Sequence, residues 1–162
     1  MSDCVSANIT KNIIDSLHNK TIAYNNEVHT IYADTERLEP ANIDRYPYIT
    51  VFGPHVEVTG RANKRSNCDL YYMLLFTDNR INDEPKYGMD IMSISDITHN
   101  VAADLIKLLF ASRNRGGWAI NTTWERYGHF IDVDQSGIPL FYVYLNIVVK
   151  ALINESNPYE RG

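Results

Sequence analysis

Five histidines are the first candidates for acid–base or metal chemistry, and they are spread along the whole chain. They are His18, His29, His55, His99 and His129. No two of them stand at the HxH, HxxxH or HExxH spacing that brings two imidazoles to one metal ion. The histidine pattern therefore predicts neither a metal centre nor a catalytic set.

The other residues with chemical potential also lack a partner at a useful spacing. Cys4 and Cys68 stand far apart without a CxxC pair, which is typical of free thiols in a reducing compartment. Asp132 and Asp134 resemble the start of a calcium-binding loop, but the downstream glutamate is missing, so a turn is favoured. No GxSxG, P-loop or GxGxxG motif occurs. We expect no catalytic residue, no cofactor and no bound metal.

The size and charge of the chain narrow the class of protein. The chain has 162 residues, 44% of them hydrophobic, and a formal net charge of −5. This length predicts a single domain over residues 1–162, with a polar tail from about Asn154. The negative charge disfavours specific nucleic-acid binding and attraction to an anionic membrane surface. The start at Ser2–Cys4 does not resemble a signal peptide, and the longest apolar run, Ile138–Val149, is too short for a membrane-spanning helix. We expect a soluble intracellular product.

The elements that would position any functional residue begin with two amphipathic helices. The clearest is Asp96–Arg113, where apolar residues recur at steps of three and four along one helix face. We expect Ser95 to cap its N-terminus, and Gly116 with Gly117 to end it. A second helix is predicted over residues 5–19, because its apolar residues stand four apart. These residues are Val5, Ile9, Ile13 and Leu17.

Period-two patterns predict the strands between the helices. We expect a short strand at Val28–Tyr32 and a longer one at Tyr46–Phe52. Val56–Thr59 is either a second strand or the same strand after a bend. Asp69–Asp78 is apolar on both faces and therefore belongs in the middle of a sheet. Gly60–Asn67 carries three basic residues and is interpreted as an exposed loop.

A long hairpin is predicted at the end of the chain. Thr122–Val133 and Pro139–Ile153 are its strands, and residues 134–137 are its turn. One face of the last strand is wholly apolar, and the other, with Tyr142 and Tyr144, is half polar. From Leu140 to Leu152 this strand would extend roughly 40 Å at about 3.4 Å per residue, whereas the expected radius of gyration is about 15 Å. It must bend or offer one end to a neighbouring subunit by edge pairing.

The tyrosines and one long loop are the strongest candidates for contact residues. Tyrosines are enriched at subunit interfaces, although pairs across neighbouring strands of one sheet explain them equally well. The tyrosines in question are Tyr46, Tyr48, Tyr71, Tyr72, Tyr142 and Tyr144. The segment Asn79–Asp90 is polar and unusually long for a loop in a compact domain, which is typical of functional or mobile loops.

The order of these elements resembles the small tail terminator (tail completion) proteins of long-tailed bacteriophages. Four stretches carry the resemblance, and they lie between residues 46 and 149: Tyr46–Val51, Leu70–Phe76, Ile97–Ser112 and Leu140–Val149. The resemblance implies an α+β fold with a mixed or mostly antiparallel sheet and two main helices packed on one side.

The same resemblance implies a non-enzymatic structural protein of the virion. Its subunits would form a hexameric ring that terminates the tail tube and joins it to a neck or head-connector protein. The ring would assemble in the host cytoplasm and lie at the tail–neck junction, with DNA passing through its lumen without specific binding. We then expect Arg80, Lys86 and Tyr87 of the long loop, with Tyr142 and Tyr144, to contact a neighbouring subunit or the tail.

Two other interpretations fit the sequence. One is another phage neck, head-closure or baseplate subunit, which would differ from a tail terminator only in its partner. The other is a small cellular ligand-binding domain, which needs a concave apolar pocket with convergent polar groups.

Overall fold

The chain folds as two helices on one side of a sheet. The computed structural model describes residues 3–24, 27–37, 46–79, 90–133, 137 and 139–160. A five-stranded, mostly antiparallel sheet packs its inner face against both helices, and two further strands form a separate hairpin. The α+β fold class expected from the sequence is confirmed.

The first helix, α1, spans Val5–Leu17 and follows its sequence pattern closely. Its four apolar residues at i, i+4, i+8 and i+12 are all fully buried in the core. A period of four is close to the 3.6 residues of one helical turn, so these side chains lie on one face.

The second helix, α2, spans Asp90–Phe110 and is longer at its N-terminus than the sequence indicates. Ser95 and Asp96 lie inside the helix and are exposed there, so the predicted cap is wrong. Gly116 and Gly117 do adopt positive φ angles of 66° and 90°. They lie in a short 3-10 helix at Arg115–Gly117, after a turn that follows Phe110, and do not themselves end α2.

Seven strands are present in the described residues. In chain order they are β1 (Thr21–Tyr24), β2 (Glu27–Thr30), β3 (Tyr32–Thr35), β4 (Tyr48–Ala62), β5 (Arg65–Asp78), β6 (Asn121–Val133) and β7 (Pro139–Asn154). The large sheet has the order β3-β4-β5-β7-β6, and β1 pairs with β2. β3 is parallel to β4, and every other pair in the large sheet is antiparallel.

Two strand predictions need correction. The single strand expected at Val28–Tyr32 is divided between β2 and β3, which are separated by the buried Ile31. Gly60–Asn67 is not a loop, because β4 and β5 continue to a tight turn at residues 63–64. The charged side chains of this segment are exposed, but its backbone is paired between β4 and β5, because polar side chains do not prevent backbone hydrogen bonding between strands. Of the two alternatives for Val56–Thr59, the continuation of one strand is confirmed, since these residues belong to β4 after a register shift between Phe52 and His55.

The final strand, β7, lies inside the sheet and is paired on both sides up to Lys150, whereas residues 151–154 pair only with β5. This end keeps one free edge within the described residues, so its pairing with a neighbouring subunit stays a prediction for β7. Its predicted alternation is confirmed, since the side chains at odd positions 141 to 151 are buried. β5 occupies the middle of the sheet as expected.

A buried arginine joins α1, the end of α2 and the turn after it. Arg115 is 0% exposed, and its guanidinium donates to the Leu109 carbonyl and, at 3.4 Å, to the Ser16 hydroxyl. Burial lowers the pKa of Arg115 to about 10, because desolvation disfavours the charged form. Its contacts satisfy one of the carbonyl groups that the end of α2 leaves without a helical partner.

The β1–β2 hairpin is attached to the main body through polar contacts. The buried Tyr24 hydroxyl donates to the carboxylate of Asp78 at the end of β5, and the Tyr24 ring stacks on His29 with centroids 4.1 Å apart. The backbone N–H of Ala23 donates to Asp104 of α2 at 2.9 Å. Within the described residues, no helix is long and apolar enough to cross a membrane.

Candidate interaction surface

The face of the large sheet opposite the helices is the candidate functional surface, and we call it the open face. Tyr142 and Tyr144 project from β7 onto this face, because β7 buries its odd-numbered side chains against the helices. Both rings are half-buried although no helix covers them. The structure thus places the two predicted contact tyrosines side by side on one surface.

Tyr142 belongs to an aromatic pair that crosses two strands. It lies directly opposite Phe130 of β6, and the two rings stack with centroids 4.6 Å apart and planes 14° apart. On its other side lies Thr77 of β5, which is buried. Phe130 leaves 43% of its surface exposed, so the pair presents a rigid apolar patch at the outer side of the sheet.

Tyr144 is held by a close approach to a glycine. It lies opposite Gly128 of β6 and Leu75 of β5. A Cβ atom added at Gly128 would stand 2.5 Å from the Tyr144 hydroxyl oxygen and 2.7 Å from its Cζ. The Tyr144 ring therefore lies over the β6 backbone in space that any other residue at position 128 would fill.

The open face changes from aromatic to charged along the strands. At the charged end Tyr71 of β5 has its ring centroid 6.2 Å from that of His55 of β4. Partial burial and the carboxylates of Glu57, Asp69 and Glu125 together raise the pKa of Tyr71, because each of them disfavours the phenolate. The aromatic end around Tyr142 and the acidic end around Tyr71 form two distinct zones.

Exposed apolar side chains also lie on β6, at one side of the sheet, and on the part of β4 that extends beyond its pairing with β3. On β6, Trp124 and Ile131 are 43% and 47% exposed. On the distal half of β4, Val56 and Val58 are 41% and 46% exposed. All four point to the helix side of the sheet, as their cross-strand partners in the core show, but they lie where the helices do not reach.

The other predicted contact residues divide into two groups. Arg80, Lys86 and Tyr87 lie outside the described residues, so their contacts stay a prediction. Tyr72, one of the clustered tyrosines, is in the core instead: it is 3% exposed, and its hydroxyl lies 2.9 Å from that of Thr10 on α1. Burial raises the pKa of Tyr72 to about 12.

Tyr48 is likewise buried, and it forms a cross-strand pair inside the sheet. Its ring stacks on that of Tyr32 in β3, with centroids 5.3 Å apart. Tyr71 and Tyr72 point to opposite faces of β5, because successive side chains of a strand alternate. The tyrosine cluster of the sequence therefore separates into core, cross-strand and open-face members.

Sequence reasoning missed Phe130 and Gly128 as parts of this surface. The sequence could have indicated Phe130, because pairing the two strands of the predicted hairpin from its turn outward places Phe130 near Tyr142. His99 is exposed, and its Nδ1 lies 2.7 Å from the Tyr127 hydroxyl, joining α2 to β6.

The described residues offer little for chemistry at this surface. They contain no group of three or more His, Cys, Asp or Glu side chains that could hold a metal ion. Cys4 and Cys68 are free thiols, half-buried and buried respectively. What the open face and the outer strands offer is a broad contact area of aromatic, aliphatic and charged side chains.

The chain matches no protein-family model, and no curated protein matches it. The function is therefore inferred from the surface itself.

Proposed function

We propose that this chain is a structural subunit of a bacteriophage virion that assembles into a ring, of six copies, at the end of the tail tube. The ring joins the tube to a neck or head-connector protein and catalyses no reaction. The observation that supports this most directly is the open face, with Tyr142, Tyr144 and Phe130 at its aromatic end.

The chemistry of that face is suited to contact with another protein. Aromatic residues are enriched in interface centres, and Tyr and Phe supply large contact areas at a small loss of conformational entropy. The stacking of Phe130 on Tyr142 and the close fit of Tyr144 over Gly128 hold these rings in place before any partner binds. Preorganised side chains of this kind lose less freedom on association.

The overall charge agrees with a passage for DNA. The net charge of −5 means that each subunit is acidic, and a ring of six would carry about six times that charge. A negative lumen repels the phosphate backbone and lets DNA slide without specific contacts.

The test compares the wild-type protein with Phe130→Ser and Tyr142→Ser variants, imaged by negative stain with and without tail tubes. We expect wild-type rings on tube ends and a reduced fraction of occupied ends for both variants. Val28→Ser is the matched control, because Val28 is 73% exposed but lies on the separate β1–β2 hairpin. Wild-type protein that ignores tubes, or variants that occupy tube ends as well as the control, would contradict the proposal.

A neck, head-closure or baseplate subunit is the second candidate, because the same surface serves a ring in any of these places. Binding to isolated head connectors or baseplates, with no binding to tube ends, would favour it over the tail terminator.

A further inference from the structure

The two outer edges of the large sheet provide a way for copies of this chain to join. In the described residues, β6 pairs only with β7, so its outer edge is unpaired over its whole length. β4 pairs with β3 only at residues 48–51, so the outer edge of Phe52–Ala62 is also unpaired within the described residues. Edge strands present backbone N–H and C=O groups that can bind another strand.

We propose that neighbouring subunits join head to tail through these edges, with β6 of one subunit pairing antiparallel to Phe52–Ala62 of the next. The closed ring in this inference rests on the proposed function, whereas the edge pairing itself follows from the topology. Such a contact uses two different surfaces of each subunit, which generates a ring if the rotation closes and an open filament if it does not.

Strand direction favours this arrangement. β4 is antiparallel to β5, β5 to β7, and β7 to β6, so β4 and β6 run in opposite directions at the two sides of the sheet. A second copy placed beside the first in the same orientation therefore presents its β4 antiparallel to β6. The sheet then continues from one subunit into the next with the more stable pairing geometry.

The side chains of the two edges also complement each other. Glu57 and Arg126 both lie on the open face near the middle of their edges. Arg126 is exposed and has no ion-pair partner within the described part of the chain. The Glu57 carboxylate lies 3.4 Å from the Nε2 of the exposed His55 and close to the Tyr71 hydroxyl. Placing Glu57 opposite Arg126 gives an attractive cross-strand pair.

The same register brings the exposed apolar side chains together. With Glu57 opposite Arg126, Val58 of one subunit lies beside Trp124 of the other, and Val56 lies beside Tyr127, all on the helix side. The irregularities in both strands fall next to each other, since β6 shifts register between Trp124 and Arg126 and β4 shifts after Val58. Val58 and Trp124 would thereby lose much of their exposed surface.

A two-fold pairing of β6 with β6 is the competing arrangement. It would cover Trp124 and Ile131 but leave the β4 edge, with Val56 and Val58, open to solvent. Head-to-tail pairing covers both edges at once and brings opposite charges together, and we favour it for these reasons.

Disulfide trapping tests the pairing and its register. In a Cys4→Ser background, which removes the more accessible native thiol, we combine Glu57→Cys with Arg126→Cys. The two positions cannot bridge within one chain, because β5 and β7 separate them by three strand spacings, about 14 Å, and a disulfide needs Cα atoms within about 7 Å. Mild oxidation should give a ladder of cross-linked multimers that ends at the ring size.

A mixture of the two single variants discriminates the arrangements. Head-to-tail pairing predicts dimers that contain one Glu57→Cys and one Arg126→Cys chain, identified by mass after a tag is added to one variant. Two-fold pairing of β6 predicts dimers of the Arg126→Cys chain alone, and that result would overturn the inference.

Charge reversal provides an independent readout. Glu57→Arg and Arg126→Glu should each raise the protein concentration at which half of the subunits are assembled by several fold, and the double reversal should restore it. Lys20→Glu is the control, because this exposed lysine lies on the connection between α1 and β1, away from both edges. Single reversals that assemble like the control would contradict the inference.

The outcomes separate the two proposals. Rings that form but give no cross-link would refute the edge pairing and leave the ring function standing. Cross-linked open filaments that never bind tubes would refute the ring function and leave the edge pairing standing. A protein that stays monomeric and gives no cross-link at high concentration would refute both.

Discussion

The hydroxyl of Tyr72 should make the stability of this protein depend on pH in the alkaline range. Tyr72 projects from β5 into the core, is 3% exposed, and has its hydroxyl 2.9 Å from that of Thr10. Burial raises its pKa from the ordinary tyrosine value of 10.0 to about 12, and the hydrogen bond to Thr10 opposes part of this rise. The folded protein therefore keeps the Tyr72 proton at pH values where the unfolded chain releases it.

The size of the effect follows from the difference between the two pKa values. An acid whose pKa is raised on folding contributes stability that is fully present below about pH 10 and is lost as the pH rises toward 12. At about pH 11 the loss is about 1.4 kcal/mol, since one pH unit corresponds to about 1.4 kcal/mol. At neutral pH Tyr72→Phe removes one hydrogen bond and lowers the free energy of unfolding by about 1 kcal/mol. The stabilities of wild type and variant should therefore cross near pH 11.

The assay is urea unfolding followed by far-ultraviolet circular dichroism at a series of pH values from neutral to about pH 11. Tyr159→Phe is the matched control, because Tyr159 is 49% exposed near the end of the chain. The difference between wild type and Tyr72→Phe should shrink above pH 9, whereas the control difference should stay constant. A constant difference for Tyr72→Phe would refute the argument that burial suppresses its ionisation.

Three further substitutions test individual contacts, the first two by chemical unfolding and the third by assembly. Arg115→Ala should lower the free energy of unfolding by about 2–4 kcal/mol. The reason is that it leaves a cavity and removes the donor to the Leu109 carbonyl. A decrease of less than about 1 kcal/mol would contradict this expectation. Gly53→Ala should lower it by about 1–3 kcal/mol, since Gly53 has a φ of 111° and an added Cβ would lie 2.7 Å from the Tyr71 carbonyl oxygen. Gly128→Ala should retain the fold, because the displaced Tyr144 ring can rotate away from the added methyl group. It should weaken assembly as Phe130→Ser does. Full assembly of this variant would contradict the role of the open face.

The sequence predicts most reliably the elements in which one face is buried along its whole length. The alternation of β7 and the four-residue spacing of α1 follow from burial of one side of each element, and both are confirmed. Ser95 illustrates the limit. A helix cap contributes only about 1 kcal/mol, so tertiary packing decides where a helix begins. In this chain α2 begins at Asp90, five residues before the predicted cap at Ser95.

The prediction of a loop at residues 60–67 was wrong for a different reason. Its charged residues indicate solvent exposure, which is correct, but exposure does not distinguish a loop from the outward face of a paired strand. Ser66 and Cys68 are buried on either side of the exposed Asn67, and this short alternation was the available signal. β1 was also missed, because four residues carry too little pattern.

The candidate surface was only partly accessible from the sequence. Tyr142 and Tyr144 follow from the two-residue period of the last strand. The stacking of Phe130 on Tyr142 and the space above Gly128 depend on the register between β6 and β7, which the sequence does not specify to within one residue. The two unpaired edges depend on strand order, a property of the whole chain.

The solution mass of the purified protein, measured by light scattering over a range of concentrations, tests the central claim most directly. Each subunit has a mass of 18.6 kDa, so six subunits have a mass of about 112 kDa. The fraction of protein in this hexamer should increase with concentration, and no larger species should appear. Glu57→Arg should shift the distribution toward the monomer. A wild-type protein that stays at the monomer mass at every concentration, both alone and with tail tubes, would contradict the account.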